Sequence, residues 1–196
     1  MIYLKTLEVA GIGPAIHAMR NPYDSWEKSD THKGCIGAAD RELSERLSKA
    51  GTEHCKHLRM CMVWAEIAAP LYWWKEFDTY RAGVEKLSCS TMHTITKKPF
   101  DKEMFSENVD ESTIRWLELQ RGFYLAAPDE TKGMYWRKII ENLPSGFIQR
   151  RTVMMSYAAL REICKQRKGH KLKEWHEFRK WAFGLPEGWM IGGDAE

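Results

Sequence analysis

Nowhere in this 196-residue chain does an apolar run approach the roughly eighteen residues that a membrane-spanning helix needs. The opening, MIYLKTLEVAGIG, has neither the charged start nor the apolar centre and cleavage site of a signal peptide. Cysteine is scarce and unpaired. Cys35, Cys55, Cys61, Cys89 and Cys164 are odd in number and form no Cys-x-x-Cys, which argues against both a disulfide framework and a thiolate metal site. A reducing, cytoplasmic setting is expected. Neither sign of charge dominates: 30 Lys and Arg against 27 Asp and Glu leave a net charge of +3, too little to advertise a nucleic-acid partner. Gly11 and Gly13 are followed by Ile16 rather than a third glycine, so the dinucleotide-binding fingerprint fails. Gly-x-Ser-x-Gly, the Walker loop and His-Glu-x-x-His are all missing, which removes the signatures of the serine hydrolases, the P-loop enzymes and the zinc proteases.

What the chain does have is aromatic bulk. Nine tryptophans, 12% aromatic residues and 43% hydrophobic residues are ample for a core, and the length suits one domain spanning residues 1–196. There is no internal repeat or low-complexity tract. A short strand is expected through Val9, and a polar loop over residues 20–34 leads to a helix at Ala38–Ala50. Leu43 and Leu47 mark one face of that helix and Gly51 its stop. Leu58–Ile67 reads as a buried strand. Pro70 suits the first turn of a helix, where its missing N–H would be unpaired anyway. Trp73, Phe77 and Tyr80 then fall on one face of that helix, and Asp78 and Arg81, three apart, can pair on another.

Residues 97–111 are charged and looped, and helices are expected at Ser112–Leu125 and Met134–Asn142. After the Leu143–Gly146 break a long helix is predicted from about Arg151 to Lys168, with Val153, Tyr157, Leu160 and Cys164 as its stripe. An amphipathic helix over Lys171–Phe183 follows, with Trp175, Phe178 and Trp181 as its apolar side, and residues 184–196 read as a tail. The fold class is α+β, helix-dominated, a single domain with a small mixed sheet. Its stretches are 1–93 (sheet and central helix), 94–142 (charged loop and helices) and 143–196 (long helix and C-terminal helix).

Chemistry concentrates in Pro70–His93. A core segment has little use for Asp78, Arg81, Ser88, Ser90, Thr91 and His93 so close together, whereas a site for a phosphate or another polar ligand does. Arg150 and Arg151, placed at the start of the predicted helix, would make either an anion site or a solvated pair. Arg167 ends an apolar helical face, where it could complement the helix C-terminus or reach a ligand. His93 could touch a phosphate or carbonyl, or make a structural hydrogen bond. His54 and His57 in HCKH look like half a metal site, but zinc takes four ligands and no matching downstream pair is present, so no metal is expected. Cys89 and His93 give only a faint hint of a nucleophile, against the commoner fate of cysteine as small core packing.

Taken in order, these segments resemble the flavin-dependent thymidylate synthase family over most of the chain. The resemblance rests on Ala18-Met19-Arg20, the Asp40 helix ending at Gly51, Glu66-Ile67-Ala68-Ala69-Pro70 and the helix after it. In the second half it rests on Leu143-Pro144 followed by Arg150, and on Gln166-Arg167, His170 and Trp175. The family's Arg-His-Arg falls on Thr79-Tyr80-Arg81, with only the second arginine kept. Its Ser-x-Arg region is Ser88-Cys89-Ser90-Thr91, again without the arginine. Ser156 and Ala158 stand where it has an asparagine and an arginine. The resemblance implies a divergent thymidylate synthase-like homotetramer, its site shared between subunits. It would methylate dUMP or a related pyrimidine nucleotide with FAD, NADPH and methylenetetrahydrofolate and need no protein nucleophile. It further implies that Thr79, Tyr80, Arg81 and His93 meet the cofactor, and that Ser88, Ser90, Arg150 and Arg167 meet the nucleotide. Hydroxyls in place of guanidinium groups remove both charge and bidentate geometry from the flavin diphosphate site. The alternative is a non-catalytic nucleotide- or partner-binding protein that keeps the fold without the flavin site.

Overall fold

A computed structural model of the chain describes residues 2–192; Met1 and residues 193–196, the end of the expected tail, lie outside the described residues. Strand β1 (Tyr3–Ala10) runs to Gly11, whose left-handed backbone (φ 86°) brings it against the Met60 carbonyl, where a Cβ would collide. Helix α1 (Ile12–Ala18) begins there, so the glycine-rich AGIGPA opens a helix. After the polar loop come α2 (Ala38–Lys49), β2 (Met62–Pro70) and the short α3 (Leu71–Phe77). Next are β3 (Val84–Ser88), the single turn α4 (Thr91–Thr94), α5 (Glu111–Ala126) and α6 (Asp129–Glu141). The chain closes with β4 (Ile148–Ser156), α7 (Tyr157–Gln166) and α8 (Lys173–Phe183). The α+β, helix-dominated architecture is as expected. Its four strands form one sheet in the order β1-β2-β4-β3, antiparallel rather than mixed.

Three elements differ from the sequence-based expectation. Leu58 belongs to a 3-10 turn at Lys56–Arg59, and β2 starts later and continues through Pro70. In β2 Val63, Ala65, Ile67 and Ala69 are all fully buried, alternating with half-buried residues, the period-two signature of a strand. The helix expected to carry Asp78, Tyr80 and Arg81 stops at Phe77, so Asp78 and Arg81 share no helical face. The long helix expected from Arg151 is two elements. Val153 and Met155 are buried while Thr152 between them is exposed, so this stretch alternates as β4. Helical spacing begins only at Tyr157, with Leu160, Ile163 and Cys164. Arg150 and Arg151 therefore sit on a strand rather than at a helix start, which removes the helix-terminus anion site. The N-terminus of α7 is capped instead by Ser156, whose Oγ accepts from the Ala159 N–H at 3.1 Å.

The chain divides into two compact units. One comprises the start of β1 with residues 67–79 and 87–151; the other comprises residues 4–66, 80–86 and 152 onward. The first has a core of Phe100, Phe105, Ile114, Leu117, Ile139 and Phe147. It also contains an aromatic triad on α3. Trp73 lies 4.9 Å from both Trp74 and Phe77, and Trp74 lies edge-on to Phe77 at 5.4 Å. The second unit buries Leu58, Tyr157, Leu160, Trp175 and Phe178 completely. In it the expected tail is structure: Leu185, Met190 and Ile191 are buried, and the Tyr157 hydroxyl donates to the Pro186 carbonyl at 2.6 Å. The polar loop is fastened there too. Asp40 accepts from Arg20 and from the Ser29 and Thr31 hydroxyls, and Asp30 caps α2 through the N–H groups of Ala39 and Asp40.

Candidate functional site

Arg167 is the C-cap of α7, placed as its sequence position suggested, at the end of an apolar helical face. Gly169, in the left-handed region at φ 69°, then turns the chain into α8, whose first turns carry the fully buried Trp175. Its guanidinium carbon lies 4.5 Å from the Trp175 ring centre and 5.3 Å from that of Tyr80. Arg167 Nε donates to the Tyr80 hydroxyl oxygen at 2.8 Å. The two rings meet edge to face at 6.2 Å, and His170 stands edge-on to Trp175 at 6.1 Å. His170 Nδ1 accepts the Leu172 N–H at 3.1 Å, so in the neutral imidazole the proton sits on Nε2. Tyr80 and Arg167, 87 residues apart in sequence, are thus brought together as one planar, ring-backed cation.

In the other unit the hydroxyl segment follows β3. The Cys89 N–H donates to the Arg150 carbonyl at 2.9 Å, which sets Arg150 on β4 beside Ser88 and Ser90. Ser90 precedes α4, and its carbonyl accepts from the Thr94 hydroxyl at 2.7 Å and from the His93 N–H at 3.3 Å. His93, Ser88 and Arg150 are exposed. The Cys89 thiol meets the Thr94 hydroxyl at 3.8 Å. Thr79 donates its hydroxyl to the Glu76 carbonyl at 2.7 Å, a local closure of the end of α3, and Arg81 lies exposed beyond it.

Two residues that the sequence reading passed over organise this segment. Gln149 Nε2 donates to the Cys89 carbonyl at 3.2 Å and the Thr91 hydroxyl at 3.1 Å, while its Oε1 accepts from Arg151 Nε at 2.9 Å. Arg151 also donates from Nη1 to Asp78 at 2.8 Å, and its guanidinium lies 4.2 Å over the Trp74 ring. The partner expected for Asp78 was Arg81; the acidic side chain pairs instead with an arginine 73 residues away. Gln149 carries no sequence signal for this role, because its contacts are with the backbone and side chains of a segment 60 residues earlier.

His57, one of the two histidines of HCKH, is a core residue. Its Nε2 lies 2.8 Å from the Ser44 hydroxyl, and burial, reinforced by the charge of Arg161, pulls its pKa down to about 4. Burial likewise pushes the Cys61 and Cys164 thiols up to about 12, which leaves them inert as nucleophiles. Among the described residues no group of three or more His, Cys, Asp or Glu side chains gathers as a metal site.

No protein-family model matches the sequence, and no curated protein matches it. Solved structures do match. Thymidylate synthase X (ThyX) from Helicobacter pylori, crystallised with FAD and dUMP, superimposes with a TM-score of 0.75 at 17% identity, covering 97% of this chain and 96% of that one. A second crystal structure of the same bacterium's flavin-dependent enzyme with FAD and dUMP gives 0.74 at 18% identity, covering 96% of both chains. The UMP/dUMP methylase PolB from Streptomyces cacaoi, bound with 5-Br dUMP, gives 0.63 at 14% identity, with 93% and 90% covered. This chain has the flavin-dependent thymidylate synthase fold. The resemblance read from the sequence extends to the three-dimensional structure.

The flavin-dependent thymidylate synthase fold does not by itself bring the flavin's counter-charges. At the positions corresponding to the family's diphosphate-binding arginines the side chains are Thr79, Ser90 or Thr91, and Ala158. Thr79 is turned to its own helix, and Ser156 is committed to capping α7. The signature arginine that remains, Arg81, is exposed. These residues do not fit a flavin diphosphate in the way the family holds it.

Proposed function

We propose that this protein binds a pyrimidine nucleotide, dUMP or a close relative, on a thymidylate synthase-like fold without the family's flavin-diphosphate charge. The observation that carries this reading is Arg167, a permanent cation held between the rings of Tyr80 and Trp175 with Nε tied to the Tyr80 hydroxyl. A guanidinium backed by rings presents its N–H edge to acceptor atoms, the arrangement that suits the carbonyl edge of a pyrimidine base. Ser88, Ser90 and Arg150 are the proposed contacts for the nucleotide's other polar groups.

A second reading is methylation of that nucleotide, with methylenetetrahydrofolate as one-carbon donor and NADPH as reductant. It is favoured by the fold shared with ThyX crystallised with FAD and dUMP and with a UMP/dUMP methylase. FAD would supply hydride chemistry, with Tyr80, Arg81, Thr79 and His93 as its nearest candidates in the signature. The protein would then act as a homo-oligomer, a tetramer by the same analogy.

Calorimetric titration with dUMP, followed by FAD titration in its presence, separates the readings. Micromolar dUMP binding with no visible flavin spectrum supports the binding function. A yellow complex that consumes NADPH and methylates dUMP supports the enzyme. Failure of dUMP, UMP and dTMP alike to bind removes both.

A further inference from the structure

We infer that Tyr80 is a positioning residue for Arg167: its phenol oxygen, not the helix that carries the arginine, sets the direction in which the guanidinium presents its Nη1 and Nη2 edge. This rests on the nucleotide-binding reading of Arg167. Three facts support it. Arg167 is the C-cap of α7, with φ −97° and ψ 11°, outside the regular helix, so the helix does not by itself dictate where the side chain points. The long arginine side chain has several rotatable bonds and loses substantial conformational freedom when held in one arrangement. That loss is met here by a charge-assisted hydrogen bond of 2.8 Å to Tyr80 and by rings at 4.5 and 5.3 Å.

The geometry assigns a different task to each contact. Ring contacts hold a guanidinium by its face and leave it able to rotate in its own plane. The bond from Nε to the phenol oxygen removes that rotation. Arginine stays protonated at any accessible pH, so the phenol changes orientation and not charge. The residue sits where the family's signature has a histidine. Either side chain offers an acceptor atom at the edge of a ring, the phenol oxygen in one and an imidazole nitrogen in the other. Phenylalanine keeps the ring and offers no acceptor.

Tyr80→Phe is therefore the discriminating variant, read by calorimetry with dUMP and by thermal unfolding. The expected result is binding about tenfold weaker, the loss of one charge-assisted hydrogen bond's worth of orientation, at an unchanged unfolding temperature. Tyr80→His should recover most of that loss. Nuclear magnetic resonance of the wild-type, ligand-free protein gives an independent reading. The Arg167 Nε–H resonance, assigned by its disappearance in Arg167→Lys, should be sharp and slow to exchange with water. If Tyr80→Phe binds dUMP as tightly as wild type while Arg167→Ala does not bind, the positioning role is overturned and base recognition by Arg167 stands. If Arg167→Ala also binds normally, base recognition falls and the positioning role with it. An Nε–H that exchanges as fast as that of an exposed arginine overturns the inference even if Tyr80→Phe fails to fold.

Discussion

Arg20 and Asp40 form an ion pair that water scarcely reaches: Nη2 lies 2.7 Å from Oδ1, and the two side chains are 8% and 0% exposed. Burial alone would raise the Asp40 carboxyl. The hydrogen bonds from Ser29, Thr31 and Arg20, with the Arg20 charge, outweigh it and hold the group below its ordinary value. One carboxylate thereby ties the polar loop to the first turn of α2.

Removing that charge should be costly. Asp40→Asn leaves Arg20 buried without its counter-ion, and a loss of about 3 kcal/mol is expected in urea unfolding. Because the folded pKa is depressed, the stabilisation is complete above about pH 4 and is lost as pH falls below it. The variant should therefore differ least from wild type in the most acidic buffers. A constant difference across that range would show that the charge is not what matters.

His57 predicts a separate loss at higher pH. Its folded pKa of about 4 lies below the ordinary value of 6.5, so the folded state binds the proton less well than the unfolded one. Stability is complete above pH 6.5 and declines as pH falls towards 4, by roughly 2 kcal/mol. In His57→Gln, which can still meet the Ser44 hydroxyl, urea midpoints between pH 7 and pH 4.5 should fall less steeply than in wild type. Parallel slopes would count against this titration.

Gly83 tests the packing between the turn before β3 and the start of α7. Its φ is 69°, an added Cβ would come within 2.6 Å of Ser156 Oγ, and its carbonyl accepts the Ser156 N–H at 2.9 Å. Gly83→Ala should cost about 2 kcal/mol, from left-handed strain and displacement of the α7 cap together. A variant as stable as wild type in thermal unfolding would mean that the turn relaxes freely.

Arg151 holds Asp78 by an ion pair, Gln149 by a hydrogen bond and the Trp74 ring by its face. Arg151→Ala should lower stability by about 2 kcal/mol, and Asp78→Asn by less, since Asp78 is the more exposed partner at 43%. Amide exchange should also quicken at Cys89 and its neighbours, because Gln149 loses its anchor while still serving that segment. Unchanged exchange there would separate the segment from Arg151.

Periodicity carried much of the fold. The aromatic spacing after Pro70, the α2 face, α5 and the Trp175 helix follow from local sequence, because each places an apolar stripe at 3.6-residue intervals. β4 was hidden for a physical reason. Its Arg150 and Arg151 resemble a helix start, and its alternation is only Thr152 to Met155 long before Tyr157 begins a true helix. In the same way Tyr80 fits the spacing of α3 although the helix ends three residues earlier.

The sequence by itself determined which segments are helix, the core aromatics, and the loss of arginines from the signature, since these depend on residue type and local spacing. Only the tertiary structure decided the partners: Arg167 with Tyr80, Arg151 with Asp78, Arg20 with Asp40. Those pairs lie 87, 73 and 20 residues apart, and nothing in local spacing relates them. A charge finds its partner through the path of the folded backbone, and that path is set by the packing of elements remote from either residue.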